Sequence, residues 1–263
     1  MSHSPKSTTS ADLVDSFAKT TLDSFSHIDN RTDAYSETYF DALYNDNTDP
    51  WEYQTRWYEK RKRDICLAIL PQEKYSNAIE LGSGNGVFSE LLAHRCQTLT
   101  CVDGNHQAVA LAKQRLANYA HAKVIQGVIP NTLLNLQDAL LKAYPLSESE
   151  VLDTHNPPFD LIVISEILYY LSPTDLDKVI AWSQQNLAIG GTILFCHWRY
   201  SIDGFVMTGE TVHQRLHQTF HTINDKETPQ ATFNHQSQIV DCDFLLDVWQ
   251  RSPRSVAMQE NLI

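Results

Sequence analysis

Nine residues, Ala78-Ile79-Glu80-Leu81-Gly82-Ser83-Gly84-Asn85-Gly86, constrain this chain more than any other stretch. An apolar run meets one acid, Glu80, and then glycines at every second position. The next residues, Val87-Phe88-Ser89-Glu90-Leu91-Leu92, have the apolar spacing of a helix. The pattern predicts a strand, a tight turn and a helix start. Glycine lets a backbone take φ > 0 and pass close to a ligand, and the first N–H groups of a helix lack partners within it. Twenty-one residues after Gly82, Asp103 closes a second apolar run, Leu99-Thr100-Cys101-Val102. An acid at that strand end can accept hydrogen bonds from ribose hydroxyls. Together these features predict an adenosine-containing ligand.

The spacing separates two cofactor classes. A dinucleotide fingerprint places its third glycine three residues after the second, which here is Val87; Gly86 comes one residue early. Glu80 also puts a negative charge where a pyrophosphate loop gains nothing from one, whereas an amino-acid moiety carrying an ammonium suits it. The E-x-G-x-G-x-G pattern followed by Asp103 resembles the class I S-adenosylmethionine-dependent methyltransferases. A nicotinamide oxidoreductase is the competing reading, and a tight turn without a ligand explains the glycines but neither acid.

At 263 residues the chain is long enough for one domain with a full core. Cys66, Cys96, Cys101, Cys196 and Cys242 are odd in number and form no C-x-x-C pair, which predicts free thiols in a reducing compartment and neither a disulfide framework nor a zinc site. With no early apolar segment of signal-peptide or membrane-span length, a cytoplasmic location is expected. A formal net charge of −12 disfavours attraction to nucleic acid. The one basic run, Lys60-Arg61-Lys62-Arg63, splays around a helix and reads as a solvated face, with Glu59 placed to pair with Arg63 and one cation able to reach a ligand carboxylate.

Residues 1–33, rich in Ser and Thr, read as a flexible N-terminal segment preceding a single domain over 34–263. Within it, 34–71 read as a helical cap, with Asp49 capping a helix that starts at Pro50 and stops at Pro71. Apolar runs at 77–81, 98–102, 123–126, 159–165 and 191–197 alternate with helical patterns near 86–95, 105–120, 174–187 and 209–219. Such alternation predicts an α/β, Rossmann-like, mostly parallel sheet with helices on both faces. Segments 230–240 and 243–250 read as a closing antiparallel pair, giving seven strands. Gly190-Gly191 reads as the turn from helix to fifth strand, and 130–158 as a variable connection bearing one helix.

Ligands of open parallel sheets bind beyond the carboxyl ends of the strands. The fourth strand is followed by Ser165-Glu166-Ile167-Leu168-Tyr169-Tyr170 and the fifth by His197-Trp198-Arg199-Tyr200. Methyl transfer to an amine requires a positioned nucleophile stripped of its proton. His197, with an ordinary pKa near neutrality, is the candidate base. Glu166 is placed to bind an acceptor ammonium or hydroxyl, or to orient the histidine. Tyr169 and Trp198 offer an aromatic wall. Glu210 and His213 share a helix face, as a cleft lining or a surface pair, and His217 continues it; with no third ligand at helical or hairpin spacing, the sequence offers no metal site.

Further segments are similar to the NodS family of small-molecule methyltransferases. These are Asp49-Pro50-Trp51, Trp57-Tyr58-Glu59 with Arg61-Lys62-Arg63, Glu80 to Gly86, Asp103, Ser165-Glu166 through Tyr169-Tyr170-Leu171, His197-Trp198-Arg199, Gly209-Glu210 with Val212-His213, and Leu245-Leu246-Asp247-Val248-Trp249. The resemblance implies an S-adenosylmethionine-dependent enzyme that methylates a small polar acceptor, namely the amine of an amino sugar or deacetylated chitooligosaccharide, with another small metabolite as the alternative acceptor. A noncatalytic adenosylmethionine-binding protein is the reading outside enzymes. On the cofactor side the resemblance implies that Trp51 and Tyr58 help close the site, joining Glu80, Gly82, Gly84, Gly86, Asp103 and Ser165, which are expected there from the glycine turn and the strand ends. The strand ends and the helix face likewise make His197 and Glu166 the candidates at the reacting centre, and Tyr169, Trp198, Arg199, Glu210 and His213 those on the acceptor side. The chain departs from many class I enzymes at Gln126-Gly127-Val128, where no acid follows the glycine, so backbone groups of Val128 and Ile129 are expected to serve the adenine.

Overall fold

The computed structural model describes residues 37–145, 157–224, 233–251 and 262, with the backbone alone at 221–224. The proposed N-terminal segment and residues 146–156 of the variable connection lie outside the described residues.

Seven strands form one sheet: β1 (Tyr75–Leu81), β2 (Cys96–Asp103), β3 (Ala122–Gln126), β4 (Phe159–Ser165), β5 (Leu187–Trp198), β6 (Phe233–Val240) and β7 (Phe244–Arg251). The order across the sheet is β3-β2-β1-β4-β5-β7-β6. β1 through β5 run parallel, and β7 runs antiparallel to both of its neighbours. This is the α/β class read from the sequence, with the closing antiparallel pair where it was expected. β4 and β7 are buried along nearly their whole lengths, as strands covered on both faces must be. β6 alternates between covered and open positions, as the edge strand. Two apolar clusters fill the two faces of the sheet.

Helices α1 (Glu37–Tyr44) and α2 (Trp57–Ile69) form the cap. They are followed by α3 (Val87–Ala93), α4 (His106–Arg115), α5 (Asn131–Leu134), α6 (Leu136–Ala143), α7 (Pro173–Asn186) and α8 (Gly209–Asn224), with one 3-10 turn at Leu168–Tyr170. Local chemistry starts them. Asn105 accepts from the amides of Gln107 and Ala108 to cap α4, and Ser172 with Pro173 opens α7.

Three expectations are corrected. The cap helix begins at Trp57, not Pro50. Asp49 instead accepts from the amides of Tyr53 and Gln54 at 2.9 and 3.1 Å, closing a turn in which Glu52 takes φ +56°. β5 begins at Leu187, so Gly190, at φ +81°, lies inside the strand, where the pairing with β4 slips in register. The connection after β3 carries two short helices rather than one.

Candidate functional site

The strand order reverses between β1 and β4, which opens a crevice at their carboxyl ends. The glycine turn leaves β1 with Gly82, Gly84 and Gly86 at φ +77°, +53° and +80°. The turn is also pressed from the β4 side, because a Cβ on Gly82 would stand 2.8 Å from Cβ of Ile167. Asp103 closes the loop, accepting from the amides of Gly84 at 2.8 Å and Asn105 at 2.9 Å; burial raises its pKa against those two bonds. Glu80 is buried beneath the turn and takes a hydrogen bond from the Ser89 hydroxyl. Burial pushes its carboxyl up to about 8, with the Ser89 bond opposing, so it holds a proton at neutral pH. Gly127 donates to the Asp103 carbonyl at 2.8 Å, and Val128 beside it is partly exposed.

The cap covers this loop with aromatic rings. The Tyr44 hydroxyl and the Tyr53 ring lie 3.5 and 3.6 Å from where a Gly84 Cβ would be. Trp51, half-buried, stacks on Tyr53 at 5.6 Å and meets Tyr44 edge-on at 5.8 Å. Several polar atoms under this lid are buried without a hydrogen-bond partner: the hydroxyls of Tyr44 and Ser83, Oδ1 of Asn85, and Nε and Nη1 of Arg63. Unsatisfied buried polar groups are costly. Their concentration around one glycine turn marks a place built for a polar guest.

At the end of β4, Glu166 takes φ +60°, in the left-handed region where side chains other than glycine are strained. Three donors hold its carboxylate: Lys62 Nζ at 2.7 Å, the Tyr169 hydroxyl at 2.5 Å and the Trp198 amide at 2.9 Å. Lys62 reaches across from α2 and also bonds Glu59 at 3.0 Å. Burial works against the charge of Lys62, but Glu166 and Glu59 overcome it and hold the ammonium protonated well above its ordinary range. The basic run is thus divided rather than solvated throughout. Lys60 and Arg61 form outer pairs with Asp64 and Asp241, whereas Lys62 and Arg63 are buried at the site. Sequence reasoning missed Lys62 as a site residue. Its partner stands 104 positions away, and the only available signal was a fourfold basic run adjoining the aromatic cap motif.

His197 is fully buried. Its Nδ1 lies 3.0 Å from Nε2 of His213, and its Nε2 accepts from the Leu168 amide at 3.4 Å. His213 Nδ1 in turn bonds Oδ2 of Asp247 at 2.5 Å. One tautomer arrangement satisfies the whole row: His197 donates through Nδ1 to His213, which donates through Nδ1 to Asp247. Burial, then the neighbouring His213 and Lys62, push the His197 pKa well below its ordinary value. Both ring nitrogens are therefore engaged, Nε2 with the turn that carries Tyr169 and Nδ1 with His213.

The remaining residues expected on the acceptor side divide. Tyr169 is buried against Glu166, and Trp198 is half-buried edge-on to Tyr58 at 5.4 Å. Arg199 and Glu210 form a surface pair, with Nε to Oε1 at 2.6 Å, and Arg199 also binds the Asp241 carbonyl. Ser165 ends β4 beside the crevice, half-buried. Gly209 is fixed by crowding, since a Cβ there would lie 2.1 Å from the Trp198 carbonyl oxygen.

Comparison with known proteins places this architecture. A family profile described as Nodulation protein S (NodS) matches residues 41–140. Nodulation protein S of Rhizobium tropici is 30% identical over 149 residues, 56% of this chain and 54% of that protein. The chain spans about half the length of the curated relatives it matches. Among solved structures, a Pseudomonas syringae protein described provisionally as a methyltransferase is 35% identical over 74% of this chain and all of its own, with a TM-score of 0.54. The N-methyltransferase NodS of Bradyrhizobium japonicum WM9, in complex with S-adenosyl-L-homocysteine, is 27% identical over 83% of this chain and all of its own, with a TM-score of 0.60. The chain belongs to the NodS family of S-adenosylmethionine-dependent methyltransferases.

Proposed function

We propose that the protein transfers a methyl group from S-adenosylmethionine to the amine of a small polar acceptor, with an amino sugar or deacetylated chitooligosaccharide as the leading acceptor. One observation carries this reading. The glycine turn and the carboxylate of Glu166 belong to adjoining strand ends, with Ile167, next to Glu166, packed against Gly82. A donor bound on the turn and an amine bound at Glu166 then share one crevice.

The residues present fit the donor. Adenosylmethionine, when bound, supplies an electrophilic methyl group on a sulfonium. Asp103 holds the ribose hydroxyls, and the backbone of Gly82, Gly84 and Gly86 lets it lie close. Glu80 suits the ammonium of the methionine portion, giving up its proton when that charge arrives, and Arg63, whose Nε and Nη1 make no hydrogen bond although Nη1 lies 3.7 Å from Glu59, suits its carboxylate. Trp51, Tyr53 and Tyr58 close over it from the cap, and Gly127 and Val128 edge the adenine. On the acceptor side, Glu166 draws in an ammonium and takes its proton, freeing the lone pair. Lys62, Tyr169 and the Trp198 amide fix that carboxylate. His197 positions the Leu168–Tyr170 turn through its bond to Leu168, with His213 and Asp247 holding its tautomer. Trp198, Arg199 and Glu210 line the way in.

A tritiated-methyl assay over deacetylated chitooligosaccharides, free amino sugars and simple amines tests the acceptor, and incorporation into a sugar amine is expected. Label entering other amines or hydroxyls alone would replace that acceptor with another small metabolite. A thermal shift with S-adenosylhomocysteine but no incorporation anywhere would leave a noncatalytic binder, and a shift with NADH alone would overturn the donor.

A further inference from the structure

Asp247 is fully buried, and its two carboxylate oxygens face opposite ways. Oδ2 is tied to His213 in the row that reaches His197. Oδ1 faces outward to two further histidines, His235 Nε2 at 2.5 Å and His217 Nε2 at 3.2 Å. These come from three elements: His217 from α8, His235 from β6 and Asp247 from β7. Strand pairing builds the cluster, since His235 stands opposite Trp249 and Gln238 opposite Asp247. Spacing along the helix shows only His217 of this group; His235 and Asp247 come from the two closing strands.

We propose that His217, His235 and Asp247 bind a divalent transition-metal ion of the zinc type. The three donor atoms already lie within 4.8 Å of one another. In a tetrahedral zinc site with bonds near 2.0–2.1 Å, donor atoms stand about 3.3 Å apart. The His217–Asp247 distance of 3.2 Å fits as it is. His235 Nε2, now 2.5 Å from the carboxylate oxygen, would have to draw back by about 0.8 Å to admit the ion between them. The donor set, two imidazoles and one carboxylate, is one that zinc accepts with its fourth position open.

The rings are held for this purpose. His235 stacks on Trp249 at 4.4 Å and 28°, and His217 meets the same indole edge-on at 5.3 Å. His213 fixes the carboxylate from behind, the outer-sphere support that metal-ligating groups commonly have. The His217 and His235 side chains retain 26% and 23% exposure, so an ion reaches them from solvent without unfolding the sheet. The Gln238 amide lies 3.2 Å from His217 Nε2.

The test uses the full chain, stripped with a chelator and titrated with cobalt(II) as a spectroscopic stand-in for zinc. Visible d–d absorption saturating at one ion per chain is expected, together with a thermal midpoint that rises with zinc concentration. His235→Ala and His217→Gln should each weaken cobalt binding about tenfold or more, while His94→Ala, remote from the cluster, should not. Since His235→Ala also removes the ring stacked on Trp249, His217→Gln with unchanged circular dichroism is the deciding variant. Absence of the cobalt spectrum, or equal titrations for wild type and His217→Gln, would overturn the site.

Discussion

Two buried acids, one on each side of the sheet, are treated in opposite ways. Glu80, under the glycine turn, has only the Ser89 hydroxyl and the Cys101 thiol as partners and is pushed up to about 8 by burial. Asp247, in β7, is just as inaccessible, yet hydrogen bonds from His213 and His235 outweigh burial and hold it below the usual carboxylate range. Burial therefore does not decide whether a carboxylate is charged; the donors around it do. The difference sorts the two acids by task. The glycine-turn side keeps an acid that weak donors leave neutral, where the proposed function would bring a ligand's ammonium. The far side keeps its acid charged by surrounding it with histidines.

The widest separation should come from pH. Glu80, with its folded pKa raised, stabilises fully below about pH 4.5, and that contribution is lost as pH climbs toward about 8, roughly 4–5 kcal/mol in all. Asp247, with its folded pKa lowered, acts with the opposite sign: its contribution is present above about pH 4 and lost only below it. Urea unfolding of Glu80→Gln should remove the slope between pH 4.5 and 8, and a slope unchanged in that variant would break the contrast. Next in size, Asp247→Ala should cost about 3–5 kcal/mol by the same method, because three histidines lose their common partner. A loss below about 1 kcal/mol would mean the cluster is incidental. Glu166→Gln should slow methyl transfer about 100-fold while leaving the affinity for S-adenosylhomocysteine intact, since the amide keeps the shape but not the basicity. Equal slowing and weakening would instead place Glu166 on the donor side. Smallest is Asp103→Ala, expected to weaken S-adenosylhomocysteine about tenfold by calorimetry through loss of ribose bonds and of the Gly84 tether.

The same contrast explains what could be read from the chain beforehand. The donor side is local: Glu80, the three glycines and Asp103 fall within two dozen residues, and each conformation follows from its own residue type. The alternation of apolar strands and helical segments likewise fixes the sheet, because each element declares its own period. The other side is assembled by pairing across long separations. Lys62 meets Glu166 only because α2 lies over the end of β4. His235 reaches Asp247 through strand pairing that no spacing within a helix could reveal. His197 illustrates the point most sharply. Residue type and position suggest a base, whereas its two bonds, invisible in sequence, occupy both nitrogens. The start of the cap helix was misjudged for a local reason: Asp49 serves a turn as readily as it serves a helix.

The bridge from Glu59 through Lys62 to Glu166 also governs how the cap comes away. It is the one connection between α2 and β4 described above in which charges on both elements are shielded from water. Mobile ions screen exposed pairs such as Arg61–Asp241 but reach buried ones poorly. Raising the ionic strength should therefore loosen the rim of the cap while leaving its centre attached, whereas removing the charge of Lys62 would leave Glu59 and Glu166 buried without their shared cation. The lid is fastened by chemistry rather than by the salt content of its surroundings.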